Sequence, residues 1–145
     1  MGRLSKKSPH IAARIARHEG RTWPAHYLGY FDCFNNGQYY EAHDVLEERW
    51  LAEGRAGSNY AFYKGLIQLA GAFVHLQKKR LKPAVALFQL AETNLRQYPT
   101  AHDGLDLARV LDLITLWKEW ILAGDFTVNP LESQAPPRLQ TPAEP

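Results

Sequence analysis

The chain of 145 residues predicts an all-α protein: a compact multihelical bundle of about five or six helices in a single domain. Three observations lead there. Apolar residues recur at three- and four-residue spacing through most of the length, with no sustained strand alternation. Gly20, Asn35-Asn36-Gly37, Gly54 to Ser58, Pro99 to Gly104 and Gly124 cut this pattern into helix-sized pieces. The connections between the pieces are short, which favours antiparallel neighbours.

Each element follows from its residues. Positions 1–9, small and basic and ending at Pro9, are expected to be a disordered arm. The helical domain then runs over 10–126. Ile11, Ala12, Ile15 and Ala16 give a short amphipathic helix over 10–19, stopped by Gly20. Pro24 to about Phe34 forms a second helix, rich in aromatic residues: Tyr27, Tyr30, Phe31 and Phe34. The third spans about Gln38 to Ala52, with Tyr39, Ala42, Val45, Leu46 and Trp50 on its apolar arc. His43 falls inside that arc and Glu47 on its flank, whereas Glu41, Asp44 and Glu48 point away from its centre.

Ser58 is the expected cap of the longest helix, 59–80. That helix is apolar nearly all round, the mark of a central, buried element. Lys64, Gln68, Gly71 and His75 form one narrow stripe along it. Gly65, Gly71 and Ala72 on or beside the stripe let a neighbour approach closely. A glycine inside a helix costs about 1 kcal/mol relative to alanine, so two of them point to a packing or site requirement. Lys78-Lys79-Arg80 suits the helix C-terminus, and Pro83 the first turn of the next helix, about Lys82 to Tyr98. Leu107, Val110, Leu111, Ile114, Trp117 and Ile121 line a last helix over about Leu105 to Ala123. Positions 127–145 hold five of the nine prolines and are expected to be an extended, flexible tail.

Composition excludes several classes. Hydrophobic residues at 46% and charged residues at 22% are ordinary for a globular domain with a sizeable core. No apolar run approaches the roughly 20 residues of a membrane helix, and the basic N-terminus lacks the apolar stretch of a secretory signal. A single cysteine, Cys33, rules out an intrachain disulfide and is expected in the core. Cytoplasmic residence is therefore expected. The net charge of +2 conceals an asymmetry: positions 1–21 carry six of the seventeen basic residues and only one of the fifteen acidic ones, Glu19. The basic segment has no interleaved aromatics for stacking on bases, which argues against nucleic-acid binding.

The chemistry-bearing residues sit on the third and fourth helices. His43 and Glu47 are one turn apart, so they share a face. His75 is a candidate third group from the neighbouring helix. Three readings stay open. In one, His43, Glu47, Gln68 and His75 form an internal polar cluster, a structural network or small-ligand site that pairs its own buried groups. In another, His43, Glu47 and His75 are metal ligands or acid–base groups for Zn or Fe in a hydrolase-like site, with Gln68 as an orienting partner. Glu41, Asp44, Trp50 and Lys64 would support or line that pocket. In the third, the helix pairs form a tetratricopeptide-like interaction module. The roughly 42-residue separation of the candidate units departs from a period of about 34. His102-Asp103 reads as a helix-start feature, and His10, His18 and His26 as exposed. The aromatic inventory is compatible with a homodimer, though no heptad array specifies one.

Two blocks resemble the domain of unknown function 309 family of bacterial and archaeal all-helical proteins. The family's pattern is an Asn-Gly turn, Tyr/Phe-Glu-Ala-His-Glu and Leu-Glu-x-x-Trp, then Gly-Leu-Ile-Gln-x-Ala and a later His. Asn36-Gly37, Tyr40-Glu41-Ala42-His43, Leu46-Glu47 and Trp50 match the first block. Gly65-Leu66-Ile67-Gln68, Ala70 and His75 match the second. The likeness extends over about 27–115. Asp44 stands where the family usually has Glu, and Lys82-Pro83-Ala84 replaces a glycine-containing turn. The resemblance implies a compact helical bundle and carries no activity with it.

Overall fold

The computed structural model describes residues 8–145, with side chains from His10 onward. The expected basic arm falls on 1–9, of which 1–7 lie outside the described residues. The elements are α1 (Ser8–Ile15), a 3₁₀ turn (Ala16–His18), α2 (Ala25–Asn35), α3 (Tyr39–Glu53), α4 (Tyr60–Gln77), α5 (Leu81–Leu95), a hairpin of β1 (Ala101–His102) and β2 (Leu105–Asp106), α6 (Leu107–Ala123) and α7 (Pro130–Ser133). The protein is all-α apart from the hairpin, and all six expected helices are present.

The core follows from where the large apolar side chains fall. Tyr27, Tyr30, Phe31 and Phe34 of α2 are fully buried. Phe73 of α4 is the hub: its ring lies 5.1 Å from Tyr39, 5.5 Å from Phe34, 5.3 Å from Phe88 and 4.9 Å from Trp117. One side chain thereby ties α2, α3, α5 and α6 to the central helix through edge and stacked aromatic contacts. The contacts of Tyr39 with Phe73 and of Trp50 with Tyr60 set α3 and α4 antiparallel.

α4 and α5 approach more closely. A Cβ at Gly65 would stand 2.7 Å from Leu95 Cγ and 3.2 Å from the Ala91 carbonyl, and one at Gly71 would stand 3.1 Å from Leu87. The small residues predicted on the α4 stripe therefore serve α5 packing.

The hairpin is a feature the helical reading passed over. Asp103 (φ 47°) and Gly104 (φ 74°) make a two-residue turn with both residues in the left-handed region, the geometry that Asp-Gly favours in tight hairpins. His102-Asp103 is thus a strand end and turn, and Asp106 is the residue that caps α6, accepting from the Arg109 amide. The hairpin is fastened to the bundle by side chains. Asn59 donates to Asp103 Oδ2 at 2.6 Å and its Oδ1 lies 2.7 Å from His102 Nε2. The Tyr27 hydroxyl donates to the Asp103 carbonyl at 2.9 Å. Position 59, rather than Ser58, is the N-cap residue of α4, and its side chain is spent on the hairpin instead of on the helix end.

The C-terminal segment is extended beyond α7, but it lies against the body. Pro137, Leu139 and Pro142 are buried. Asn129 caps α7 and also donates to the Leu76 carbonyl at the end of α4. The long-range contacts that dock this proline-rich segment were not visible as local pattern.

Candidate metal centre

The site is built on one face of α3. A helix rises by a turn in just under four residues, which brings the Glu47 carboxylate beside the His43 ring. His43 Nε2 is 3.9 Å from Glu47 Oε2, and His43 Nδ1 is 3.2 Å from Asp44 Oδ1. The ring of Tyr40 stacks on His43 at 6.2 Å with an interplanar angle of 25°. His43 and Glu47 are about 30% exposed, whereas Asp44 is almost fully buried.

Burial of Asp44 departs from the sequence expectation, which pointed it away from the packed arc. Helical period does not see tertiary packing. Glu41 and Asp44 are three apart and share a face; α1 packs against α3 as well as α2, and Arg14 of α1 pairs with Glu41 at 3.8 Å. α1 thus lies along the Glu41 side of a face that periodicity assigns to water.

One ligand atom from each of His43, Asp44 and Glu47 lies within 4.8 Å of the other two. A cation held at about 2.0–2.2 Å from nitrogen and carboxylate oxygen would draw these atoms inward by roughly an ångström. One imidazole and two carboxylates form a hard to borderline donor set suited to first-row divalent ions. The open side of the group would leave coordination positions for water.

The remaining predicted site residues fall elsewhere. The polar residues expected as one cluster divide into two groups. Gln68 Oε1 accepts from Asn94 Nδ2 of α5 at 2.7 Å, so Gln68 faces α5 and not α3. His75, seven residues further along the same stripe, has a buried Nδ1 without a hydrogen-bond partner. Desolvation, with Arg80 and Lys78 nearby, lowers its pKa from the ordinary histidine value. His75 is not among the three clustered ligands. Lys64 Nζ lies 5.9 Å from the centre of the Tyr60 ring, and Trp50 packs on the same ring at 5.1 Å. Trp50 is therefore a packing residue at the far end of α3.

Two titratable groups gained partners that the sequence did not reveal. His18, expected exposed, is 6% exposed and contacts Asp32 through Nε2. Arg17 holds the same carboxylate through Nε at 3.0 Å and Nη2 at 2.7 Å. Burial would raise the Asp32 pKa, but Arg17 and His18 together hold it below the usual carboxylate value. His26 pairs with Glu48 at 2.8 Å. Cys33 is a core thiol, its pKa pushed up to about 11 by burial.

The fold and site define a small helical bundle with a histidine–carboxylate group on one helix face. Residues 27–87 match the model of the family described as Domain of unknown function (DUF309), bearing out the resemblance read from the sequence over that span. The matched segment contains α3 and α4 whole, and with them His43, Asp44 and Glu47. No curated protein and no solved structure matches the chain. Among the described residues, no helix is long and apolar enough to cross a membrane.

Proposed function

We propose that the protein is a divalent-metal-binding helical domain whose ligands are His43, Asp44 and Glu47, with Zn or Fe(II) as the ions that suit the donors. The observation that supports the reading most directly is the approach of one histidine and two carboxylate ligand atoms to within 4.8 Å on a single helix face. Tyr40 stacks on the imidazole and Asp44 lies beside it; both restrict the ring that would bind the ion. A metal held there with water in its open positions would act as a Lewis acid and lower the pKa of that water, the general basis of metal-assisted hydrolysis. His75 has no part in this proposal.

The test is metal content by elemental analysis on protein purified without a histidine tag, followed by calorimetric titration with Zn, Fe(II) and Mn(II). The expected result is one equivalent in the unaltered chain, lost in His43→Ala and weakened at least about tenfold in Glu47→Gln. His75→Ala retains the full equivalent. A chain that binds none of the three ions, or variants that bind as the parent does, would defeat the reading.

A further inference from the structure

The C-terminal segment is held in the way that a groove holds a peptide. Asn35, the last residue of α2, grips the main chain of Leu139 on both sides: its Nδ2 donates to the Leu139 carbonyl at 2.9 Å, and its Oδ1 accepts from the Leu139 amide at 2.7 Å. Four residues on, both main-chain groups of Ala143 are paired too. Its amide donates to the Gly104 carbonyl at 2.9 Å, and its carbonyl accepts from Trp23 Nε1 at 2.8 Å. Between and beside these two clamps the buried side chains are Leu139, Pro137 and Pro142; the prolines bring no N–H that would need a partner.

The receiving surface is shaped for this. A Cβ at Gly104 would stand 2.3 Å from the Ala143 carbonyl oxygen, so only glycine admits the segment, and its positive φ also favours glycine. Main-chain hydrogen bonds with a pocket for one side chain are the usual means of reading extended peptides. Most of the contacts are to backbone, one leucine and two prolines, and so are available to other chains with those features; two exposed side chains add to them, Arg138 donating to the Asn35 carbonyl at 3.4 Å and Glu144 pairing with Arg21 at 3.8 Å. The groove is also wider than its occupant: a cavity of about 510 Å³ remains beside the segment, between α6 and residues 138–141.

We propose that this face is a peptide-recognition groove, occupied here in cis by Pro137 to Ala143, and that its partner is an extended segment of another protein carrying a leucine between flanking prolines. The C-terminal segment then acts as an internal competitor that such a partner displaces. The proposal is independent of the metal site, which lies on α3.

The experiment uses the full chain with Leu139→Asp, which removes the buried side chain and places a carboxylate where desolvation disfavours it. The probe is a fluorescein-labelled synthetic peptide of residues 134–145, followed by anisotropy. The Leu139→Asp chain binds one equivalent, and the unaltered chain binds at least about tenfold more weakly because its own tether competes at a high effective concentration. Asn35→Ala added to Leu139→Asp removes the binding, and a probe carrying Leu139→Asp does not bind. A Leu139→Asp chain with native circular dichroism that ignores the probe overturns the proposal. So does equal binding of the two probes, which would mean unspecific adhesion. Should Leu139→Asp lose its helical signal, Leu139→Ala takes its place with the same outcomes.

Discussion

α3 and α4 each carry a histidine on a partly buried face, and the two histidines have opposite surroundings. His43 lies between two carboxylates and reaches water. His75 is desolvated and its charged neighbours are Arg80 and Lys78. The first setting offers a metal ion two carboxylates beside the imidazole, and the second disfavours a positive charge. The same residue type thus marks a candidate ligand set on one helix and a neutral packing group on the next. The polar stripe of α4 belongs with packing: Gln68 is satisfied by Asn94, and the glycines of the stripe admit α5.

If the α4 stripe is for packing, bulk there should damage stability and leave metal binding intact. Gly65→Val is the strongest such change, since its Cβ would fall 2.7 Å from Leu95 and 3.2 Å from the Ala91 carbonyl. A stability loss of about 1–3 kcal/mol is expected in urea denaturation, with metal stoichiometry unchanged in whatever fraction stays folded. Glu47→Gln, which keeps the size of the side chain, should show the reverse: weakened metal binding with a smaller stability loss than Gly65→Val. Equal stability losses at both positions would erase the contrast. A smaller effect tests the polar contact itself. Asn94→Ala leaves the half-buried Gln68 carbonyl without its partner, at a cost of about 1 kcal/mol. Gln68→Leu combined with Asn94→Leu should recover most of it, and a double variant as weak as the sum of two losses would contradict a simple pairing.

The parts of this arrangement that were legible in the sequence are those set by local period. α2 to α6 begin and end within a few residues of where the apolar spacing and the turn residues put them, because amphipathic period and stop signals act over a turn or two. The pairing of His43 with Glu47 was legible for the same reason. The direction of the α4 stripe was not. α4 is apolar nearly all round, so its pattern cannot say whether Gln68 meets α3 or α5; the partner at position 94 decides it. Asp44 and His18 were assigned to solvent, yet both are buried: helical period does not see tertiary packing, and the partner of His18, Asp32, lies on another helix. The Asp103-Gly104 turn did carry a local signal, the dipeptide favoured in two-residue hairpins, set among helices where no strand pattern drew attention to it.

The smallest effect separates the two histidines by pH. Burial and the nearby cations lower the His75 pKa below its ordinary value of 6.5, so between the folded and unfolded values the unfolded chain binds more protons at this site. Stability from His75 is therefore complete above about pH 6.5 and is lost as the pH falls through the window below it. His75→Gln cannot titrate, so the difference between its melting temperature and that of the parent should shift against the parent as the pH drops from 7.5 to 5.5. Taking the difference removes everything that the two chains share. A difference that stays constant with pH would mean that His75 is as well solvated as a free histidine, and the contrast between α3 and α4 would then rest on packing alone.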